Sequence, residues 1–140
     1  MADDGIGVKI GLQGDKEYKK ALQDIGRQMA VLNSSMKASQ SAFGDQTGSM
    51  EALTDKLDKL NEIYDVQQEK VQLISDQLQG AIKEYGENSK QADQLRIALN
   101  KATVQMNGTK NEIDKTQQGL DALKEAQDDA GDATDETRGS

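Results

Sequence analysis

A heptad register that holds without a slip from Tyr18 to Gln127 constrains this chain more than any other feature of its sequence. One set of positions runs Leu22, Met29, Met36, Phe43, Met50, Leu57, Tyr64, Val71, Leu78, Tyr85, Ala92, Leu99, Met106, Ile113, Leu120 and Gln127, and only its last member is clearly polar. A second set runs Tyr18, Ile25, Leu32, Ser39, Gln46, Leu53, Leu60, Gln67, Ile74, Ala81, Asn88, Leu95, Ala102, Thr109, Thr116 and Leu123. Together they give the alternating three-and-four spacing of the a and d positions of a coiled coil. The expected class is all-α, with long helices forming coiled coil or helical hairpin. The apolar members larger than alanine, from Tyr18 and Leu22 to Leu120 and Leu123, are the candidate coiled-coil interface.

Composition agrees with narrow stripes rather than a thick core. Apolar residues are 34% and aromatics 3% of the 140-residue chain, with no Trp and Phe43 as the single Phe. Pro is absent, while Gln, Lys, Glu, Asp, Ala and Leu are abundant, as in a mostly helical chain. The net charge of −8 argues against gripping nucleic acid by phosphate neutralisation. Without Cys there are no disulfides or thiolate metal sites, and without His the commonest general base and metal ligand is missing. The start, Met1-Ala2-Asp3-Asp4-Gly5, is acidic and lacks the basic-then-apolar order of a secretory signal. No window approaches the roughly 20 apolar residues that span a bilayer, so no membrane segment is expected in this chain.

Residues 1–14 read as an N-terminal strand or arm, in which Ile6, Val8, Ile10 and Leu12 alternate with mostly glycine. Such a strand is weak alone and needs a partner edge. Asp15 is placed to cap a first helix over 15–43. A loop follows over 44–49, rich in glycine and small polar residues, and Ser49 is placed to cap a second helix over 50–85. Gly86 sits where a C′ glycine belongs in the turn 86–89, and Asn88 or Ser89 is placed to cap a third helix over 90–127. Gly26, Gly80, Gly108 and Gly119 lie inside these helices at about 1 kcal/mol each relative to Ala, so the helices need packing to hold. Residues 128–140, acidic and small with no apolar stripe, read as a disordered tail or linker.

The two breaks favour helical hairpins, whereas a phase that survives both also lets the helices run in line. Straight, residues 18–127 would span roughly 165 Å at about 1.5 Å per residue. Folded at 86–89, Gln67 comes level with Gly108 and Thr109, and Leu57 and Leu60 meet the region of Thr116 and Leu120. A lone chain must bury its stripe and is expected to fold back; an assembled one is expected to form an extended oligomeric coil. The flanking positions Asn33, Gln40, Thr54, Asn61, Gln68 and Ser75 are uncharged, so the salt bridges that usually select partner and orientation are sparse. Ile63, Ile82 and Ala98 widen the stripe, which favours bundles or trimers over a simple dimer.

Chemistry is thinly represented. The acidic pairs Asp3 with Asp4, Asp55 with Asp58, and Asp128 with Asp129 are the only catalytic candidates, and paired carboxylates need an enclosed site that separates their pKa values. Charged solvated faces are the simpler account, so no catalytic residue is assigned. The segment from Asp128 to Glu136 lacks the alternate ligands, central glycine and terminal Glu of a calcium loop. The early glycines do not complete a dinucleotide fingerprint, and no cofactor is expected. Met29, Met36, Met50 and Met106, like Tyr18, Tyr64 and Tyr85, fall on the stripe, where packing is their ordinary role.

In Gly7-Val8-Lys9-Ile10-Gly11-Leu12-Gln13-Gly14-Asp15, Glu17-Tyr18-Lys19-Lys20-Ala21-Leu22 and Leu32-Asn33-Ser34-Ser35-Met36-Lys37 the chain resembles the N-terminal region of tail tape measure proteins of long-tailed bacteriophages and prophages. Tyr85-Gly86-Glu87-Asn88-Ser89-Lys90 is similar to the break that such proteins carry between coils. The resemblance implies a structural virion protein: a helical rod in the lumen of the tail tube that sets tail length during assembly in the host cytoplasm and leaves when DNA is ejected. It also implies tail tube, tail assembly chaperone and baseplate proteins as partners. Family members are commonly far longer, so the chain looks like a leading portion. The alternatives are a secreted helical-hairpin protein of the type VII secretion class, whose turn carries a Trp-x-Gly motif absent here, and a coiled-coil chaperone or adaptor such as a prefoldin-like protein, whose inter-helix strands have no room at 86–89. An enzyme is the remotest reading.

Overall fold

The computed structural model describes residues 14–139, with side chains through Asp128. Three long helices, α1 (Asp15–Phe43), α2 (Met50–Tyr85) and α3 (Lys90–Gly139), follow one another, with a 3₁₀ turn at Gly44–Gln46 between the first two. α1 packs along α2 and α2 along α3, and no comparable interface joins α1 to α3. The described chain is therefore two successive helical hairpins sharing α2 as their middle arm. The expected N-terminal strand lies outside the described residues.

Both bends are built alike. Each helix stops at a glycine in a left-handed conformation, Gly44 at φ 57° and Gly86 at φ 102°, where a side chain would be strained and glycine is not. The Gly86 amide donates back to Ile82 O at 2.9 Å. Each following helix starts at a serine whose hydroxyl accepts from the amide three residues on: Ser49 Oγ from Ala52 N at 3.2 Å, and Ser89 Oγ from Ala92 N at 3.1 Å. These caps satisfy amides that the first turn leaves without helical partners, at about 1 kcal/mol each. Of the two residues proposed for the second cap, the structure uses Ser89.

The start of α1 differs from expectation. Gly14 occupies the N-cap with no side-chain hydrogen bond, and Asp15 is the first helical residue. Asp15 serves instead as a first-turn carboxylate beside Glu17, favourable to the positive helix end, and pairs with Lys19 at 3.1 Å on the surface. The end of α3 differs as well. Its apolar stripe stops at Leu123, yet the helical backbone continues past Gln127 to Gly139. The side chains of the acidic segment after Asp128 lie outside the described residues.

Packing holds the hairpins closed in one register. Leu53 Cδ1 lies 3.6 Å from where a Cβ on Gly119 would sit, and Lys56 Nζ is 3.8 Å from Glu112 Oε2. At the other end Tyr18, Ile74 and Ala102, one from each helix, form a single buried cluster flanked by Leu22, Val71, Leu73, Leu95, Ala98 and Leu99. Ile74 is 2% exposed and is the largest fully buried side chain. Ile74→Ala removes methyl groups from the one layer shared by all three helices, so it should cost about 2–5 kcal/mol. The expected reading is a lower urea midpoint at an unchanged denaturant slope.

Candidate functional site

The surfaces that the helices offer one another are the most extended feature of the described residues. α2 lies between two neighbours and must be covered on two sides. Its expected stripe, Leu53, Leu57, Leu60, Tyr64, Gln67, Val71, Ile74, Leu78 and Ala81, is buried or half-buried throughout. A second set one residue earlier, Ala52, Lys56, Lys59, Ile63, Val66, Lys70, Leu73, Gln77 and Gly80, keeps the same three-and-four spacing and is likewise covered. α2 thus carries two parallel seams where the heptad pattern marks one.

The neighbours account for the doubling. On the α1 side, Gln40 Nε2 donates to Ala52 O at 3.2 Å, and the Ser39 hydroxyl donates to Asp55. On the α3 side stand the Leu53–Gly119 approach and the Lys56–Glu112 ion pair. Small residues sit where backbones come close: Ala52 and Ala92 are both 0% exposed, and each is the residue whose amide the preceding serine caps. A larger side chain there would push the helix axes apart. Lys56, Lys59 and Lys70 on this seam are half-buried, as suits a side chain whose stem is apolar and whose end is charged.

Most candidate interface residues are covered. Tyr18, Ile25, Leu60, Ile74 and Leu120 are buried, and Leu22, Met29, Leu32, Met36, Phe43, Met50, Leu53, Leu57, Tyr64, Val71, Leu78, Leu95, Leu99, Met106, Ile113 and Leu123 are half-buried. Tyr85 is the exception at 48% exposed, because α1 begins too low to cover it. Buried residues outside that list are, on the expected stripe, Gln67, Ala81, Ala92, Ala102 and Thr116, and, on the second seam of α2, Ala52, Ile63, Val66, Gln77 and Gly80, of which the sequence marks Ile63 as widening the stripe. The branched residues Ile63 and Val66 were the second seam's one legible signal.

Three polar residues, Gln67, Gln77 and Thr116, are buried in the seam. Thr116 donates its hydroxyl to Glu112 O at 2.7 Å within its own helix. Gln67 Oε1 has no hydrogen-bond partner among the described residues. Thr109, expected level with Gln67, donates its hydroxyl to Gln105 O at 3.2 Å within its own helix. A buried amide oxygen without a partner costs about 1–3 kcal/mol.

Of the acidic pairs, Asp3 and Asp4 lie outside the described residues, as does the side chain of Asp129. Asp55 is engaged by Ser39 and lies 3.9 Å from Lys59 Nζ, while Asp58 is exposed to solvent. Among the described residues no group of three or more His, Cys, Asp and Glu is placed to hold a metal ion, and no helix is long and apolar enough to cross a membrane. Burial pushes the Tyr18 hydroxyl above its ordinary pKa of 10.0. Compared with family models, with curated proteins and with solved structures, the chain finds no match in any of the three.

Gln67→Leu fills the same space without an unmet acceptor, and should raise stability by about 1–2 kcal/mol in equilibrium urea unfolding. Tyr18 supplies a pH signature. Its folded form keeps the proton to higher pH than its unfolded form, so its contribution is fully present below about pH 10 and is lost as pH rises through the folded value. Urea midpoints at about pH 9 and about pH 11 should therefore fall further in the unaltered chain than in Tyr18→Phe.

Proposed function

We propose that this chain is a structural coiled-coil element, the N-terminal part of a phage tail tape measure protein, whose axial length in the tail tube helps to set tail length. The observation that carries the reading is the register that continues through both glycine bends. Independent helices joined by loops need no common phase, whereas segments of one rod do. The resemblance in the opening segment and at the break around Gly86 directs the reading to tails.

In this reading the folded chain is the form it takes alone, and the assembled form is a self-associated rod. Straightening requires only that each bend return to helical dihedrals, since the stripe is already in phase on both sides. The uncharged flanking positions suit this exchange, because few specific ion pairs must break when intrachain partners are replaced by those of neighbouring chains. The surface pairs Lys19–Asp15 and Arg96–Asp93 join residues within one helix and survive either arrangement. The buried Gln67, unmet in the hairpin, is the layer that loses least on opening.

Spin labels at Asn61 and Asn111, both exposed, separate the two forms. In the isolated chain the hairpin keeps the labels close. In assembled tails they should move to about 75 Å apart, the axial distance at 1.5 Å per residue. A distance that stays short in tails, or tails that keep their length when whole heptads are deleted in frame, would overturn the proposal.

A further inference from the structure

An open cleft of about 580 Å³ lies at the end of the fold where all three helices meet. Its apolar walls are Tyr18 and Leu22 of α1, Ala81 and Tyr85 of α2, and Leu95 and Ala98 of α3. It exists because the helices are not level. Tyr18 clusters with Ile74 and Ala102, and α1 begins only one turn beyond that layer, at Asp15. α2 continues from Ile74 to Tyr85, so at about 1.5 Å per residue the α2–α3 hairpin overhangs the start of α1 by about 12 Å. The inner face of that overhang is what leaves Tyr85 48% exposed at a position where the heptad pattern calls for burial.

The chain itself enters at the mouth of this cleft. Asp15 is one of its lining residues, and Gly14 O accepts from Tyr18 N at 2.9 Å as the first turn closes. The residues immediately before, Ile6 to Leu12, place Ile6, Val8, Ile10 and Leu12 at alternate positions. In an extended segment these fall on one side, about 7 Å apart, so Val8, Ile10 and Leu12 cover about 14 Å, close to the overhang. Extended backbone also needs partners for its amides and carbonyls. The described residues offer no strand edge, but the exposed Gln91 and Gln94 side chains at the cleft both donate and accept. Lys9 is the one charged residue of the segment, and the carboxylates Glu84 and Glu87 at the tip of the hairpin are exposed.

We propose that the segment Ile6 to Leu12 of the same chain docks in this cleft, laying Val8, Ile10 and Leu12 against Ala81, Tyr85, Leu95 and Ala98. The occupant is intramolecular because tethering at Gly14 holds the segment at the cleft, whereas a second copy would have to be captured from solution.

Amide hydrogen exchange on the full chain tests this. The amides of residues 8–12 should exchange at least tenfold more slowly than in a free peptide of residues 1–14, at a rate independent of chain concentration. Tyr85→Ser removes one cleft wall at an exposed position, and Ile10→Asn removes one docking side chain. Each should return residues 8–12 to peptide-like rates while helical circular dichroism is retained. Peptide-like rates in the unaltered chain would overturn the proposal, as would protection that survives both substitutions. Protection that grows with concentration would assign the cleft to a second copy and overturn it equally.

Discussion

The need to cover α2 on two sides governs the rest of the structure. A chain that is 34% apolar, with a single Phe, cannot surround a helix with bulky side chains. It meets the need with small buried residues, Ala52, Gly80, Ala81, Ala92 and Ala102, and with half-buried lysines on the second seam. Close approach in turn fixes the bends, because Ala52 and Ala92 sit in the first turns of α2 and α3, where the serine caps hold the backbone. Bend, cap and seam are one arrangement made twice.

That arrangement explains what the sequence could and could not disclose. Helix positions were legible because glycine and serine act locally: Gly86 ends α2 and Ser49 begins it, whatever the helices pack against. The α2–α3 hairpin was legible from the demand that a lone stripe be buried. The second seam was hidden because Lys56, Lys59 and Lys70 count as polar in any reading by residue type, although they are half-buried. Gly80 and Gln77 hid it further, since neither looks like a core residue. The first cap misled for a similar reason. Asp15 has the chemistry of a cap, but Gly14 has the freer backbone, and the aspartate serves one position later as a first-turn charge.

The seam threonines bond within their own helices. Thr103, Thr109 and Thr116 each donate to a carbonyl of their own helix, at Leu99, Gln105 and Glu112. They take no part in joining one helix to another. The Gln67 side-chain oxygen has no hydrogen-bond partner among the described residues. The side-chain hydrogen bonds that do cross between helices, Gln40 to Ala52 O and Ser39 to Asp55, join α1 to α2.

An antiparallel hairpin with a heptad seam compares its own two arms. Seven residues removed from α2 next to the 86–89 bend would shorten that arm by about 10.5 Å and keep its stripe facing inward, yet the layers of α3 would then meet different partners. Gln67 would face a new level, and Leu53 would leave Gly119. A matched removal from both arms restores every pairing between them, though α1, lying against α2, would still lose a layer. The fold thus reads arithmetic into sequence change. It accepts steps of seven and rejects the rest, and it favours paired steps over single ones, so the length of such a chain is graduated rather than continuous.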